Sequence, residues 1–440
     1  MAKVVKNVVC TFCGSLCDDL EIHIENDNIT AVKKGCALSR TKYLNAREEV
    51  VPLVEGKEAS FSAALEAAVE ILAHARHLLV YGLSSTCSEA QAAAVALAET
   101  LGASIDSTSS VCHGPGTLAK QLVGIPTCTL GEVKNRADVL VFWGCNPVEA
   151  HPRHFARYSV LAKGLKVGGR RERKVVVADV RKTATARGAD LFLQLEPNGD
   201  FEVLTALRAL INGKDIVGEG AGGLTRAQLE ECSRLLKEAS YGVFFFGMGL
   251  TMSRGTHYNV SQALALVRDL NKYTRYSVIP MRGHGNVAGS ENVLAWQTGY
   301  PFAVNFSRGY PRYNPGEFTA VDLLRRGDVD AALVVAADPA ATFPGRAAAV
   351  LGEIPTVVID PHYSATAKLA RVYLPSAAAG IGAAGTVYRM DMVPLPVKKL
   401  LNLPYPSDKE ILDMLREGVK KCSGSREAGS TTRKMAGTGK

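Results

Sequence analysis

Short apolar runs that end in a polar or turn-forming residue recur along most of the chain. Between the first two of these runs, residues 89–101 have a helical pattern. Continuous apolar strands that alternate with helices are typical of parallel sheets covered on both faces. The pattern therefore predicts an α/β fold, with strands expected at 77–85, 138–147, 174–181, 241–249, 330–339 and 356–361.

The first 52 residues follow a different pattern. Segments 21–25 and 29–33 alternate apolar and polar residues, and Asn26, Asp27 and Asn28 supply a turn between them. Alternation on both sides of a turn predicts a β-hairpin. We expect a small β-rich module here, of a kind that can hold a metal-binding loop.

The chain has 440 residues, of which 47% are apolar, so more than one hydrophobic core is expected. A run of about 18 apolar residues does not occur, and we expect no membrane span. The first residues lead directly into a cysteine motif without the features of a signal peptide. We therefore expect a cytoplasmic protein.

The formal net charge of +8 is concentrated at the C-terminal end. Residues 418–440 carry six basic side chains and one acidic side chain among Gly, Ser and Thr. This composition predicts a disordered basic tail or a docking arm. The remaining chain is nearly neutral and has no nucleic-acid-binding motif, so nucleic acid is not an expected partner.

Four cysteines lie within the first 36 residues: Cys10, Cys13, Cys17 and Cys36. The C-x2-C-x3-C spacing followed by a fourth cysteine favours an iron–sulfur cluster. The alternatives are chance and a structural zinc site, although zinc ribbons use a second C-x2-C pair that is lacking here. The other cysteines are scattered in apolar surroundings and are expected to be buried thiols, with the roles of Cys87 and Cys145 left open.

Two later loops carry residues suited to chemistry. Cys112 and His113 follow a Ser/Thr run and precede Gly-Pro-Gly, and such a pair can act as a metal ligand with an acid/base or as a nucleophile site. The second loop, 280–289, is rich in glycine and contains Arg282, which can hold a small carboxylate by a two-point contact. The alternatives are an incidental Cys-His pair and a surface arginine in a plain turn.

These three motifs, in this order, resemble a known family. Over about residues 5–400 the chain resembles the molybdopterin or tungstopterin oxidoreductases related to formate dehydrogenase, and among them the B subunits of archaeal formylmethanofuran dehydrogenases. The resemblance implies an iron–sulfur module at 1–52 and two doubly wound, Rossmann-like domains of the formate dehydrogenase/DMSO reductase type. One pterin-binding domain would comprise 53–108 plus 275–400, and the other 109–274. The C-terminal β-barrel cap of larger members is missing and is expected in a separate subunit.

The resemblance also implies a cofactor set. Cys10, Cys13, Cys17 and Cys36 would hold one [4Fe–4S] cluster. Cys112 would ligate tungsten or molybdenum together with two molybdopterin guanine dinucleotides, with His113 and Arg282 beside the open side of the metal. The dinucleotides would contact the strand ends and loops at Gly82, Ser84, Gly144, Asn146, Asp179, Arg181, Gly247, Gly249, Gly283, Asn286, Asp338 and Asp360.

One position departs from the family pattern. Formate dehydrogenases often carry a lysine just after the fourth cluster cysteine, as a bridge to the pterin, whereas Ala37 and Leu38 follow Cys36 here. Arg40 and Lys42 are the candidates for this bridge. The residues do not distinguish tungsten from molybdenum.

The implied activity is the reversible reduction of CO2 to formate, the first step of methanogenesis from CO2. Electrons would come from a polyferredoxin-type subunit, Arg282 would hold the developing carboxylate, and His113 would orient the substrate or relay a proton. Formate would pass to an amidohydrolase-like subunit, because an H-x-H metal motif is lacking in this sequence. The direction of flux and the subunit stoichiometry stay open.

Two other functions are weighed against this one. A metal-free scaffold, as in the formyltransferase/hydrolase complex of methylotrophic bacteria, would need neither the four cluster cysteines nor Cys112. An electron-transfer subunit with a degenerate pterin site would keep the cluster cysteines but not Cys112, His113 and Arg282. All of these residues are present, which favours the oxidoreductase.

Overall fold

The computed structural model describes residues 2–47 and 49–436, with side chains described up to residue 422. Over this range the chain is a mixed α/β protein. None of the helices described there is both long and apolar enough to cross a membrane.

The secondary structure alternates between strands and helices through most of the chain. The strands are β1 (Lys3–Val8), β2 (Leu20–Glu25), β3 (Asn28–Lys33), β4 (Leu53–Val54), β5 (Lys57–Glu58), β6 (Leu78–Gly82), β7 (Ser104–Ser107), β8 (Val139–Trp143), β9 (Lys174–Asp179), β10 (Leu191–Gln194), β11 (Gly220–Ala221), β12 (Leu224–Thr225), β13 (Tyr241–Phe246), β14 (Arg275–Pro280), β15 (Val304–Asn305), β16 (Arg312–Tyr313), β17 (Ala331–Val335), β18 (Thr356–Asp360), β19 (Val372–Pro375), β20 (Gly385–Tyr388) and β21 (Pro394–Val397). The helices are α1 (Ala37–Leu44), α2 (Phe61–His74), α3 (Ser88–Leu101), α4 (Gly114–Val123), α5 (Leu130–Arg136), α6 (Pro147–Ala150), α7 (His154–Arg157), α8 (Asp200–Ile211), α9 (Arg226–Lys237), α10 (Met248–Thr251), α11 (His257–Leu270), α12 (Val287–Thr298), α13 (Ala320–Arg326), α14 (Pro339–Thr342), α15 (Gly345–Glu353), α16 (Ala365–Leu369) and α17 (Asp408–Ala436).

The N-terminal strands form an antiparallel sheet in the order β1-β2-β3. In the turn between β2 and β3, Asn26 and Asp27 have positive φ angles of 49° and 59°. Asparagine and aspartate tolerate this conformation better than other side chains. The hairpin expected from the alternating pattern of residues 21–33 is therefore confirmed.

Two larger sheets form the body of the protein. One has the order β16-β15-β7-β6-β17-β18-β19-β4-β5, and its five central strands, β7 to β19 in that order, are parallel. The other has the order β10-β9-β8-β13-β14 and is entirely parallel. Strands β6, β8, β13, β17 and β18 are buried at every position. The parallel sheets predicted from the apolar runs are confirmed.

The expected division of the chain at residue 275 differs from the structure. Strand β14 pairs with β13 along its whole length, from Arg275 to Pro280, and so belongs to the five-stranded sheet. The chain leaves this sheet after Pro280. The strand escaped the sequence pattern because its first three residues, Arg275, Tyr276 and Ser277, break the apolar run.

The two large sheets contain the same five-stranded unit. Strands β7-β6-β17-β18-β19 of one sheet correspond in order to β14-β13-β8-β9-β10 of the other. The backbone contacts repeat as well: Leu83 N donates to Val335 O (2.9 Å) in one unit, and Gly247 N donates to Trp143 O (3.0 Å) in the other. We call these units the β6 half and the β13 half.

The sequence carries the same repeat in a permuted order. Residues 179–186 read DVRKTATA and 360–367 read DPHYSATA, while 200–208 read DFEVLTALR and 408–416 read DKEILDMLR. In the β6 half the strand pair β6 and β7 comes first along the chain, whereas the matching pair β13 and β14 comes last in the β13 half. This permutation explains why the repeat is not apparent along the chain.

Each half contains one of two matching side-chain contacts. Thr185 donates through its hydroxyl to Asn146 Oδ1 (2.7 Å), and Thr366 donates to Asp338 Oδ1 (2.6 Å). Asn146 and Asp338 have the same backbone angles, φ −123° and ψ 70°. The two halves are therefore alike in side-chain detail as well as in topology.

The C-terminal segment differs from the expected disordered tail. Helix α17 begins at Asp408 and extends to Ala436, while residues 437–440 lie outside the described part of the chain. Ile411, Leu412, Leu415 and Val419 on this helix are buried in the core of the β6 half. Burial of this apolar stripe stabilises the start of the helix, which continues into the basic segment.

The matched contacts lead to a stability prediction. Thr366→Val keeps the side-chain volume but removes a hydroxyl that donates to Asp338 and accepts from the Ala340 N–H at 3.0 Å. We expect a loss of about 1–3 kcal/mol in the free energy of unfolding, measured by urea denaturation. Thr185→Val should cost less, because its acceptor, Asn146, is neutral. An equal or larger loss for Thr185→Val would contradict this interpretation.

Candidate functional site

The candidate site lies where the two halves meet. Cys112 and His113 follow β7, and Arg282 follows the equivalent strand β14. The Thr251 hydroxyl donates to the Cys112 carbonyl at 2.6 Å, and His113 Nε2 donates to the Met281 carbonyl at 3.1 Å. Each half therefore contributes one loop, and the hydrogen bond from His113 to Met281 connects the two loops directly.

The Cys112 thiol is buried and not spontaneously ionised. It follows the 3-10 turn Thr108–Val111, and burial raises the pKa of the thiol to about 11. The charge of Arg282 and the backbone N–H of Gly283 act in the opposite direction. A thiol of this kind is a poor free nucleophile, whereas a bound metal ion would deprotonate it. The environment of Cys112 thus fits a metal ligand.

His113 is a neutral side chain in this structure. Burial lowers its pKa to about 3, and the nearby Arg282 adds to the shift. Because Nε2 donates to a carbonyl, Nδ1 is the unprotonated nitrogen, and among the described residues it has no hydrogen-bond partner. Nδ1 is therefore an unused hydrogen-bond acceptor on the residue next to Cys112.

Arg282 is only 1% exposed, which rules out the alternative of a surface arginine. Its Nη2 lies 2.5 Å from Glu291 Oε2, and its Nη1 donates to the Met390 carbonyl at 3.3 Å. The third nitrogen, Nε, has no partner within the described part of the chain. These two bonds use one N–H of each Nη, so a two-point contact to a carboxylate, as expected from sequence, would draw on the three N–H groups that they leave unused.

Glu291 is a residue that the sequence reasoning missed. It lies on α12, is buried, and accepts hydrogen bonds from Ser109 (2.9 Å), Thr117 (3.2 Å) and Lys120 (3.3 Å) as well as from Arg282. Burial alone would raise its pKa, but Arg282 and Lys120 hold the pKa of this carboxyl well below its ordinary value. The signal that could have identified it is a lone acidic residue among the mostly small and apolar residues 287–294.

The four N-terminal cysteines lie close together. Cys10, Cys13 and Cys17 are in the loop between β1 and β2, which a backbone hydrogen bond from Cys10 N to Cys17 O closes at 2.9 Å. Cys36 caps the start of α1. Burial raises the pKa of Cys10, and the electrostatic effects of Cys13, Cys17 and Cys36 raise it further.

The spacing of these thiols bears on the kind of metal group they can hold. Among residues 2–47 and 49–436, no three His, Cys, Asp or Glu side chains converge closely enough for a single metal ion. A cubane cluster distributes its irons over separate corners, so its four thiolates stand farther apart than the ligands of one ion. The four thiols influence one another electrostatically, as the ligands of one shared metal group would.

The cysteine loop packs directly on the Arg282 loop. Gly14 N donates to Gly283 O at 2.9 Å, and a Cβ on Gly14 would overlap the Arg282 carbonyl oxygen. A Cβ on Gly285 would likewise overlap the Thr11 carbonyl. Glycine is required at both positions because the two backbones touch. The cysteine loop is thereby connected to the candidate metal ligand, Cys112, through the backbone of the Arg282 loop.

Charged residues cover the outer side of the cysteine loop. Arg153 donates to both carboxylate oxygens of Asp19, at 2.6 and 2.8 Å, and Arg157 lies 2.6 Å from Asp19 Oδ2. Burial raises the pKa of Cys17 to about 12, and Arg153 and Arg157 oppose this shift. The two arginines would stabilise an ionised Cys17.

Of the two residues considered as a bridge, Lys42 lies near a strand end. Burial raises the pKa of Asp360 to about 8, Asp408 adds to the shift, and the charge of Lys42 opposes it. Lys42 also lines a cavity with Phe12 of the cysteine loop. Arg40 is exposed.

The remaining expected ligand contacts fall into two groups at the carboxyl ends of the strands. Gly82, Ser84, Asn286, Asp338 and Asp360 lie in the β6 half or packed against it. The β13 half contains Gly144, Asn146, Asp179, Arg181, Gly247 and Gly249. Gly283 lies between the groups, and within the described structure a Cβ there would have no atom within 4 Å.

Several of these residues already have structural roles. Gly144 has a φ of 56°, and a Cβ there would lie 2.6 Å from Leu250 N. Asn286 donates to Thr86 O at 2.8 Å and accepts from Tyr388 N at 2.7 Å. Packing of the chain on itself therefore accounts for both residues without a ligand.

Cys87 and Cys145 behave as buried thiols. Cys87 donates to the Ala384 carbonyl at 3.8 Å, and Cys145 donates to the Phe245 carbonyl at 3.9 Å. Burial raises the pKa of Cys87 to about 12 and raises that of Cys145 well above its ordinary value.

Comparison with known proteins places the chain in a family, although no family model matches it. It is 47% identical over 432 residues to the B subunit of the tungsten-containing formylmethanofuran dehydrogenase 2 of Methanocaldococcus jannaschii, covering 96% of this chain and 99% of the relative. The B subunit of the same name from Methanococcus maripaludis is 44% identical, covering 95% and 99%. The chain belongs to the family of formylmethanofuran dehydrogenase B subunits. Its resemblance to that family, inferred from the motifs, is confirmed.

More distant relatives of the chain extend to other enzymes. The B subunit of the formyltransferase/hydrolase complex Fhc of Methylorubrum extorquens is 29% identical over 65% of the chain and 75% of its own length. A chain from the solved structure of that complex has a TM-score of 0.71 at 25% identity, covering 85% of this chain and 99% of its own. Acetylene hydratase from Pelobacter acetylenicus, at 14% identity and a TM-score of 0.67, covers 95% of this chain and 70% of its own and shares the fold.

Glu291→Gln tests the buried charge group. It leaves Arg282 and Lys120 without their counter-charge, and we expect a loss of about 3–5 kcal/mol in unfolding free energy. Because the folded-state pKa of Glu291 is depressed, its contribution is complete above about pH 4.5 and is lost as the pH falls further. The difference from wild type should therefore shrink below about pH 4.5 in urea titrations.

Glu230→Gln is the matched control for this substitution. Glu230 is exposed and pairs with Arg226 at 2.9 Å one helical turn away. An exposed pair contributes at most about 1 kcal/mol. A comparable loss in both variants would contradict the role assigned to Glu291.

Proposed function

We propose that this chain is the catalytic subunit of a formylmethanofuran dehydrogenase, which reduces CO2 reversibly to formate. The supporting observation is that the cysteine loop, Cys112 and Arg282 meet at the backbone of the Arg282 loop. Gly14 binds Gly283 through its backbone, and the Gly283 N–H acts on the Cys112 sulfur. Such a junction would bring electron delivery and CO2 reduction close together.

The cofactors follow from the donor sets. Cys10, Cys13, Cys17 and Cys36 would hold a [4Fe–4S] cluster, and Cys112 would hold tungsten or molybdenum. The metal, with its pterin ligands, would supply the two-electron chemistry. The two equivalent halves offer two equivalent sets of strand ends, which supports a pair of molybdopterin guanine dinucleotides.

The residues around Cys112 would handle the substrate. Arg282 Nε has no hydrogen-bond partner among the described residues, and its N–H would donate to an oxygen of CO2 as negative charge develops there. His113 Nδ1 would accept a hydrogen bond and so orient a proton-bearing group. Since both side chains are 1% exposed, bulk water would be kept from the reacting atoms.

The proposed partners are other subunits of such a complex, as the names of the relatives suggest. A polyferredoxin-type subunit would deliver electrons to the cluster, and an amidohydrolase-like subunit would join formate to methanofuran. A β-barrel subunit would cap the dinucleotides. CO2 and formate would be the small-molecule substrates.

A second function is supported by the structural likeness to the formyltransferase/hydrolase complex. In that case the chain would be a metal-free scaffold subunit. A third, an electron-transfer subunit, would contain the cluster but no tungsten or molybdenum. Metal analysis of the complex, purified without oxygen, separates these three: iron with tungsten or molybdenum, no metal, or iron alone.

Cys112→Ala provides the test of the catalytic role. We expect CO2 reduction with a low-potential electron donor to fall at least about 100-fold, because loss of a ligand should exceed the effect of losing an outer contact. Iron content should stay at the wild-type level, since the cluster cysteines are unchanged. Activity is measured by formate production and metals by mass spectrometry.

Cys232→Ala is the matched control. Cys232 is a buried thiol on α9 in the core of the β13 half. We expect it to lower stability without affecting metal content or activity. Retained activity in Cys112→Ala, or equal losses in both variants, would argue against Cys112 as the metal ligand.

A further inference from the structure

His151 is a buried side chain that the proposed function does not use. It follows α6, is 3% exposed, and its ring Nε2 lies 2.9 Å from the Arg282 carbonyl oxygen. A carbonyl can only accept, so Nε2 carries the proton. Burial lowers the pKa of His151, which keeps the ring neutral. The residue is therefore a fixed, uncharged donor to one carbonyl.

That carbonyl belongs to the peptide group between Arg282 and Gly283. The N–H of the same peptide belongs to Gly283 and faces the Cys112 sulfur, where its effect is to lower the thiol pKa against the larger raising effect of burial. The next carbonyl, Gly283 O, accepts from Gly14 N at 2.9 Å. Gly283 has no side chain to anchor this peptide, so its orientation depends on backbone contacts and His151.

The internal repeat provides a natural comparison for His151. Counting from the matched residues Asn146 and Asp338, the equivalent of His151 is Phe343. Both residues close the same turn, with His151 N donating to Pro147 O (2.8 Å) and Phe343 N to Pro339 O (2.9 Å).

The two rings face different neighbours. The ring of Phe343 packs against Tyr81 at 4.8 Å, whereas that of His151 reaches the Arg282 carbonyl. The turn thus accepts an apolar ring in the β6 half. In the β13 half, where the same turn faces the Arg282–Gly283 peptide, the ring is that of His151, which can form a hydrogen bond.

We propose that His151 is a positioning residue that fixes the Arg282–Gly283 peptide so that its N–H points at the Cys112 sulfur. The proposal rests on the proposed function, in which Cys112 ligates the metal. A hydrogen bond to a thiolate draws charge from the sulfur, which makes the bound metal easier to reduce. Donation to the carbonyl of the same peptide polarises it and strengthens its N–H as a donor.

The test is the midpoint potential of the tungsten or molybdenum centre in the intact complex, followed by electron paramagnetic resonance during a redox titration. In His151→Phe we expect a more negative midpoint with wild-type tungsten or molybdenum content and wild-type iron content. His151→Gln, whose amide can donate to the same carbonyl, should return the midpoint toward the wild-type value.

His154→Phe is the matched control. His154 is fully buried next to His151, with the two rings 6.5 Å apart, and its Nδ1 pairs with the Ser159 hydroxyl at 3.0 Å. Replacing it removes a buried imidazole without removing the hydrogen bond to Arg282. We expect the midpoint to stay at the wild-type value.

Each outcome decides the proposal. An unchanged midpoint in a metal-loaded His151→Phe complex would overturn it, as would equal shifts in all three variants. If His151→Phe does not retain the metal, His151→Gln decides: a loaded centre with the wild-type midpoint supports the proposal, and metal loss in both contradicts it. A wild-type complex without tungsten or molybdenum would overturn the proposed function itself, which is seen before any variant is titrated.

Discussion

Two cations, the buried Arg282 and the half-buried Lys120, lie beside one buried carboxylate, Glu291. An unpaired charge in such a place would cost several kcal/mol, so each cation depends on Glu291. Glu291 lies on α12, which packs against α3 of the β6 half, while Lys120 lies on α4, which packs against α11 of the β13 half. Each helix follows a strand of the opposite half. The charge group therefore links α4 and α12, the two helices that cross from one half to the other. The geometry around Cys112 depends on this link.

The same group leaves the site with an excess of positive charge. Two cations face one carboxylate whose pKa is held well below its ordinary value, so the group carries one net positive charge when all three are ionised. Burial raises the pKa of Cys112 and lowers that of His113; in both cases the charge of Arg282 acts to lower the pKa and that of Glu291 acts to raise it. A ligand that brings negative charge, such as thiolate, formate or a dithiolene, would be stabilised there.

The sequence was informative where one residue type has one physical use. Apolar runs predict buried parallel strands, and the spacing of Cys10, Cys13 and Cys17 indicates a shared metal group before any fold is known. Contacts between distant segments were not predictable in this way. Glu291 and His151 act on Arg282 from other elements, and neither belongs to a motif. The permuted repeat was missed because its matching segments occur in different orders along the chain.

The internal repeat also allows the loops after β7 and β14 to be compared position by position. Counting from the matched strands β7 and β14 without a gap, Cys112 corresponds to Gly285 and His113 to Asn286. His113 and Asn286 both precede the first residue of a helix, α4 and α12.

The two members of each pair nevertheless meet different surroundings. Gly285 touches the backbone of the cysteine loop at Thr11, and Asn286 is held by Thr86 and Tyr388. A side chain at 285 would push the cysteine loop away, whereas at 112 the same position has room for a sulfur ligand. In the proposed function, one half would use this position for the metal ligand, while the other uses it for contact with the cysteine loop, and a symmetric pair of loops could not do both.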